Sequence, residues 1–405
     1  MDATYRTPYN RAFTAPFYDL YKQRLQAEVG PVPYRLAESP LFLPPYLRDR
    51  LMEATRDLVS QLAEPARMVR LRKAVPAHFD VPRVDESPSC MTIDFALVRG
   101  EDGRLDARVI EMQAFPSLFA FTMVQARLFD ELLREIPGMP KDGFHCFAPG
   151  FDFDSGARLL KEAIVGAESP ENVVLLEIQP DQQKTRPDFV ATKALTGVAP
   201  VCVTEVLRRG ARLFRKDASG REVPIHRVFN RVVFDEWFRK KPQAQFSFTD
   251  ELDLSWCPHP NWYWMWSKYS LPVLSHPLLP KTWFVSELPE VPADLSRYVL
   301  KPLFSFAGTG VVVDPTAEDL ARIPESERGD WILQEKVTYA RDMLTTEGAG
   351  VAAEIRILCL KPQGAPLPVP FMNLVRLSRG KMIGVDHNKD LDWVGSSVAL
   401  WPRGS

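Results

Sequence analysis

The sequence predicts a mixed α/β chain of the α+β kind, and three patterns point to it. Residues 1–80 repeat apolar side chains at helical spacing, the stretch from Met91 alternates with the period of strands, and residues 145–245 alternate strand with helix.

In "YLRDRLMEATRDLVSQLAEPARMVRLRKAV", Leu51, Ala54, Leu58 and Leu62 recur at three- and four-residue steps and line one helix face. The segments "MTIDFALV", "RGEDGRLD" and "ARVIEMQAF" read as two strands joined by a hairpin. Asp102-Gly103 between apolar runs supplies the positive φ that a two-residue turn demands. "NVVLLEI", the polar "QPDQQKTRPD", a helix, "VCVTEVL" and "HRVFNRVVF" make a small α/β unit. The aromatic "WCPHPNWYWMW" and a proline-punctuated connector then lead into a β-rich last third: "RYVLKPL", "GVVV", "WILQEKV", "EIRILCL", "NLVRLSRG". Three portions are therefore expected: 1–144, with the helices and the hairpin; 145–245, the small α/β domain; and 246–405.

With 405 residues, 45% apolar and 25% charged, the chain is long enough for several cores. Its net charge of −2, with acids and bases interspersed, carries no footprint of nucleic acid or an anionic membrane, so a small-molecule partner is expected. The five cysteines (Cys90, Cys146, Cys202, Cys257, Cys359) contain no CxxC pair, which argues against a disulfide framework or a zinc site. There is no apolar leader at "MDATYRTPYNRAF" and no run of the roughly 18 apolar residues a membrane span requires. A cytoplasmic location is the expectation.

The hairpin places acids together. If Asp102-Gly103 is the turn, Glu101 faces Arg104 and, counting outward, Asp94 lands opposite Glu111. Like charges at cross-strand distance need a compensating cation. Gln113 shares the face of Glu111, because side chains alternate along a strand, and adds a neutral oxygen. Asp94, Glu111 and Gln113 thus offer hard oxygen ligands of the kind Mg²⁺ accepts. The alternative is that either acid faces solvent or pairs with Arg83, Arg99 or Arg108.

"YVLKPLFSFAGTGVVV" sets Lys301 before a flexible stretch, Ser305 to Gly308-Thr309-Gly310, between two apolar strands. Glycines there let backbone N–H groups close on phosphate oxygens while the lysine adds a point charge. No Walker A or GxGxxG pattern is present, and a plain glycine-rich hairpin is the alternative.

The next strand ends Gln334-Glu335-Lys336-Val337, followed by Asp342, then "EIR" and "VRLSRG". Taken in order, these parts resemble the nucleotide half of the ATP-grasp superfamily. The resemblance implies that Gln334 and the Glu335–Val337 edge receive adenine and that Asp342 holds the ribose. It implies that Lys268 in "SKYSLPVLSHPLLPKTWFV", with Lys281 as runner-up, and Lys301 meet phosphate. Arg356 and Arg376 would approach the γ-phosphate or an acyl phosphate. Such enzymes normally finish with a carboxylate, a hairpin and an E-x-N strand followed by proline, which hold two magnesium ions. Here "IDFALVRGEDGRLDARVIEMQAFP" near the front matches that piece. The order is similar to the circularly permuted branch, the eukaryotic-type glutathione synthetases and glutathionylspermidine synthetases, with 145–245 as an inserted Rossmann-like pre-ATP-grasp domain. Two departures stand out: Gln113 replaces the asparagine, and "LFSFAGTG" lacks the flap acid of glutathione synthetases.

Arg231, beside Asn230 in "RVFNRVVFDEW", is costly mid-strand unless paired. Either it holds a substrate carboxylate through its planar fork or it pairs with Asp235 or Glu236. Arg186 is a weaker candidate for that duty. Trp256, Trp262, Trp264 and Trp266 line a pocket or build core. Asp386, Asn388, Asp390 and Asp392 read as a loop near the nucleotide, with Asn388 in reach of phosphate. His226, His259 and His276 have no catalytic spacing.

The expected function is an ATP- and Mg²⁺-dependent carboxylate–amine or carboxylate–thiol ligase acting through an acyl phosphate, with a homodimer as its assembly. A small-molecule kinase on the same scaffold and a non-catalytic nucleotide-binding protein are the rival readings.

Overall fold

The early hairpin, in which the nine residues Cys90 to Val98 are all buried, forms one side of the largest sheet in the computed structural model, which describes residues 2–304, 310–380, 383, 388 and 390–403. Strands β1 (Cys90–Arg99) and β2 (Leu105–Gln113) form the hairpin. The parallel sheet of the small unit uses β3 (Val173–Glu177), β4 (Ala199–Cys202), β5 (Arg227–Asn230) and β6 (Ser255–Cys257). A third sheet uses β7 (Thr282–Phe284), β8 (Tyr298–Pro302), β9 (Val312–Val313) and β10 (Trp331–Glu335). Finally β11 (Met343–Leu344), β12 (Gly350–Leu360), β13 (Val369–Ser378) and β14 (Gly395–Ser397) return to the first sheet. Its order is β14-β13-β12-β1-β2, antiparallel throughout, with β11 paired to β12. Strands from both ends of the chain thus share one sheet.

The hairpin register departs from the expected one near its turn. Gly100 pairs with Arg104 around a three-residue loop, Glu101 to Gly103, in which Gly103 takes φ +75°. Arg99 therefore faces Leu105, one step off the two-residue count. A bulge between Asp94 and Phe95, with Ile110 as the extra residue of β2, takes the step back. Asp94 ends opposite Glu111, as expected, and Thr92 opposite Gln113.

The small sheet has order β6-β5-β3-β4, all parallel, and takes its last strand from beyond residue 245. Successive connections leave β3 in opposite directions, so the β3/β5 boundary is the topological switch point. Two expected strands are shorter. "VCVTEVL" is broken by a 3₁₀ turn at Val203–Glu205, and "HRVFNRVVF" stops at Asn230, one residue before Arg231.

The expected helical lead-in forms helices Ala3–Ala12, Ala15–Val29 and Pro45–Leu62. In the last, Leu51, Ala54, Leu58 and Leu62 are all buried in the main core. Leu41–Phe42 between them pairs in parallel with Ala399–Leu400 and ties the front of the chain to its end. Trp256, Trp262, Trp264 and Trp266 are buried side chains of the apolar cores. Helix Phe119–Leu133 begins at Leu118 in a left-handed conformation, and the carboxylate of Asp188 accepts from Leu118 N at 3.1 Å and Phe121 N at 3.0 Å, capping the helix from outside. Among the described residues no helix is long and apolar enough to cross a membrane.

Candidate functional site

The bulge that resets the hairpin also builds the site. Removing Ile110 from the ladder turns its carbonyl outward, and Lys301 Nζ on β8 donates to it at 3.1 Å. The same ammonium donates to Gln334 Oε1 on β10 at 2.6 Å, and Gln334 Nε2 donates to Thr282 Oγ1 at 3.2 Å. Residues from the early hairpin and from the late sheet therefore meet at one amine. Burial draws the Lys301 pKa down to about 8, against the opposing pull of Glu111.

Next to it lies a buried ionic chain. Arg356 on β12 is the register partner of Asp94 and grips it from both sides: Nε to Oδ1 at 2.6 Å and Nη2 to Oδ2 at 2.7 Å. Arg376 on β13 adds Nη2 to Oδ2 at 2.7 Å and also bonds Glu354. Tyr339 Oη donates to Glu354 Oε2 at 3.1 Å. With its amide oxygen facing the guanidinium, the orientation that satisfies both ends of the amide, Gln113 accepts from Arg356 Nη1 and Nη2 at 3.2 Å each. Burial pushes the Asp94 carboxyl up, but Arg356 and Arg376 outweigh it and hold its pKa below the usual value. For Glu354, burial prevails over Arg376 and the pKa is raised.

The counter-charges that two facing acids require are therefore side chains: the guanidinium groups of Arg356 and Arg376 for Asp94, and the ammonium of Lys268 for Glu111. Asp94, expected as a metal ligand, is 1% exposed, and its Oδ2 already accepts two hydrogen bonds. An ion on these oxygens would stand close to Arg356, where like charges at about 4 Å cost about 4 kcal/mol per unit charge at an effective dielectric near 20. Gln113 is likewise committed to Arg356. Of the expected three, Glu111 is the one left for magnesium, which would take the place of Lys268 beside it: its side chain is 35% exposed, lines a cavity of about 20 Å³ with Gln113, Phe115, Tyr263, Lys268 and Phe304, and lies 3.8 Å from Lys268 Nζ. One carboxylate suffices for an ion that keeps its waters and takes phosphate oxygens.

Other expected residues fall elsewhere. Asp342 pairs with Arg99 at 3.0 Å, at the far end of β1, roughly 17 Å along the strand from Asp94. In the expected adenine edge, Glu335 N donates to Lys281 O at 2.9 Å and Lys336 N to Arg297 O at 2.8 Å, so two of its three N–H groups are spent. The Lys336 ammonium pairs with Asp314. Asn388 Oδ1 accepts from Ser378 Oγ, Arg379 N and Gly380 N at 3.0–3.1 Å, which makes it the brace of a turn. Gly310, at φ +75°, packs on Pro302 at the foot of the glycine stretch; Ser305, Gly308, Thr309 and Asp386 lie outside the described residues.

Arg231 is 3% exposed, and its partner is neither Asp235 nor Glu236 but Asp188, at 3.7 Å. Its guanidinium lies over the rings of Phe115 and Phe189 at 5.3 and 5.4 Å. Nε and Nη1 have no hydrogen-bond partner among the described residues. It sits just past β5 at the switch point, beside Glu177 at the end of β3, whose carboxyl burial lifts to about 8. Arg186 pairs with Asp181 at the surface. His226 and His259 bond Glu168 and the Pro82 carbonyl, and His276 Nε2 lies 3.8 Å from Asp57, all outside the site.

Solved structures include chains of similar fold. The chain aligns with a glutathione synthetase-like effector, GSS30, from Globodera pallida in apo form, with a TM-score of 0.60 over 90% of this chain and 93% of that one. They share a fold. Identity is 13%, so the likeness extends to the fold alone. No family model matches the sequence, and no curated protein matches it.

Sequence reasoning missed Glu354 and Tyr339. A signal for Glu354 was present: it stands two residues before Arg356 in "EIR", hence on the same face of β12. Tyr339 follows the linker by two residues and carried no pattern of its own.

Proposed function

We propose that the chain is an ATP-dependent carboxylate–amine ligase on a circularly permuted ATP-grasp scaffold. The observation that carries this reading is the bond from Lys301 to the Ile110 carbonyl, because it closes the early acidic hairpin and the late lysine-bearing sheet on one point. The shared fold with a glutathione synthetase-like protein supports it.

In this reading Lys268 and Lys301 neutralise phosphate charge, and adenine lies along Gln334 to Val337 with Val337 N–H as donor. Arg376, 37% exposed where Arg356 is 11%, is the arm that turns to the transferred phosphoryl group. The substrate carboxylate attacks the γ-phosphorus, ADP leaves, and the amine nitrogen then attacks the acyl carbon and expels phosphate. Arg231, with two N–H vectors uncommitted, is the candidate for a second substrate carboxylate. Magnesium held at Glu111 would supply further charge against the phosphates. A cytoplasmic homodimer is the form proposed; the cysteines, all free and buried, suit a reducing compartment.

One observation favours a second reading, nucleotide binding without turnover: Asp94 and Gln113 are both committed to Arg356. Phosphate release measured against pooled amino acids, amines and small peptides, with and without Mg²⁺, tests the choice. Release that depends on an amine supports the ligase. ADP formation with a phosphorylated product, no released phosphate and no amine requirement shows a kinase, and nucleotide binding with no ADP formed shows the second reading.

A further inference from the structure

Resting on the nucleotide reading above, we infer that the guanidinium of Arg356 occupies the place of one of the two expected metal ions, so that the site takes its nucleotide with a single divalent cation. Two of the three expected oxygen ligands turn their oxygens to Arg356. Asp94 presents both carboxylate oxygens to it at 2.6 and 2.7 Å, and Gln113 presents its amide oxygen at 3.2 Å. These acceptors come from neighbouring strands of one sheet, and Arg356 enters from the third strand, β12, at the register position opposite Asp94.

The donor arithmetic agrees with such a replacement. A guanidinium carries five N–H groups. One Nε–H and one Nη2–H go to Asp94, and one each from Nη2 and Nη1 go to Gln113. A single Nη1–H is left over, and it is the group that meets a phosphate oxygen as a metal would. Charge is accounted for as well: Asp94 is shared with Arg376, so it has no negative charge left to attract an ion. Glu111 is different. Its carboxylate lines the cavity with Lys268 rather than Arg356, and it remains the anchor for the one cation that comes with the nucleotide. An arginine in this place is always charged and cannot be chelated away, which ties part of the phosphate neutralisation to the fold itself.

The test counts ions directly. Mn²⁺ is titrated into the full chain saturated with a non-hydrolysable ATP analogue, and free Mn²⁺ is followed by electron paramagnetic resonance, while a fluorescent ATP analogue reports nucleotide binding in parallel. One bound Mn²⁺ per bound nucleotide is expected for the native chain; two overturn the inference while leaving the nucleotide reading intact. In Arg356→Ala a second Mn²⁺ should bind, with roughly tenfold or weaker affinity than the first, and Arg356→Lys should stay at one. A count of one in a folded Arg356→Ala overturns the replacement. If that variant fails to fold, the native count alone decides. Failure of the fluorescent analogue to bind under any metal condition overturns the nucleotide reading and this inference with it.

Discussion

Lys301 reaches the carbonyl of Ile110 across 191 positions of sequence, at 3.1 Å, and does so because Ile110 is the bulged residue of its strand. Replacing the amine with an apolar chain of similar length, Lys301→Met, should leave the sheet folded and weaken nucleotide binding or turnover about a hundredfold, the usual effect of losing one positioned cation. Nucleotide titration followed by phosphate release reads both quantities.

The same lysine gives a pH signature with two signs. Its folded pKa of about 8 lies below the ordinary lysine value of 10.5, so between these limits the unfolded chain binds the extra proton and stability rises with pH. Phosphate affinity moves the opposite way, falling as the charge is lost through about pH 8. Lys301→Arg, which stays charged, should flatten the affinity profile across pH 7–9, measured by nucleotide titration at each pH. A native profile as flat as the variant's refutes the assignment.

Asp94→Asn tests the ionic chain. It leaves Arg356, 11% exposed, without its counter-charge, and breaking a buried pair in this way costs about 3–5 kcal/mol. The Arg376 side is more exposed and should add less. Because the folded pKa of Asp94 is depressed, its contribution is present above the unfolded carboxylate value and lost as pH falls through the folded one. Denaturant midpoints below pH 4 should therefore converge for native and variant, and differ most near neutrality.

Tyr339→Phe removes one hydroxyl from Glu354, which is 4% exposed. Leaving that oxygen unpaired should cost about 1–3 kcal/mol of stability. With Arg376 less firmly held, kcat should fall several-fold while the KM for ATP stays near its native value; equal changes in both argue against a positioning role.

Asp188→Asn retains one of the two oxygens that cap helix Phe119–Leu133 and loses the charge facing Arg231. A destabilisation of about 1–2 kcal/mol is expected from the cap alone. Thermal melting should show it without any change in nucleotide affinity.

The pairing of Asp94 with Glu111 was legible in the sequence, although for a reason only half correct. A two-residue turn was expected; a three-residue loop and a compensating bulge give the same pair, because each shifts the register by one in opposite directions. The tryptophan cluster was legible as core. Asp342 was not: its pairing with Arg99 depends on where the segment before β11 crosses β1, which strand period does not encode. Arg231 was recognised as costly, yet its partner Asp188 comes from a helix that no local pattern places beside it.

By itself the sequence determined which side chains share a face, since alternation along a strand is a property of the backbone and needs no neighbour. That was enough to gather Asp94, Glu111 and Gln113 and to require a cation among them. Only the tertiary structure decided that the cation at Asp94 is Arg356, because β12 lies beside β1 in the sheet, and strand order is set by long-range packing that no strand period encodes.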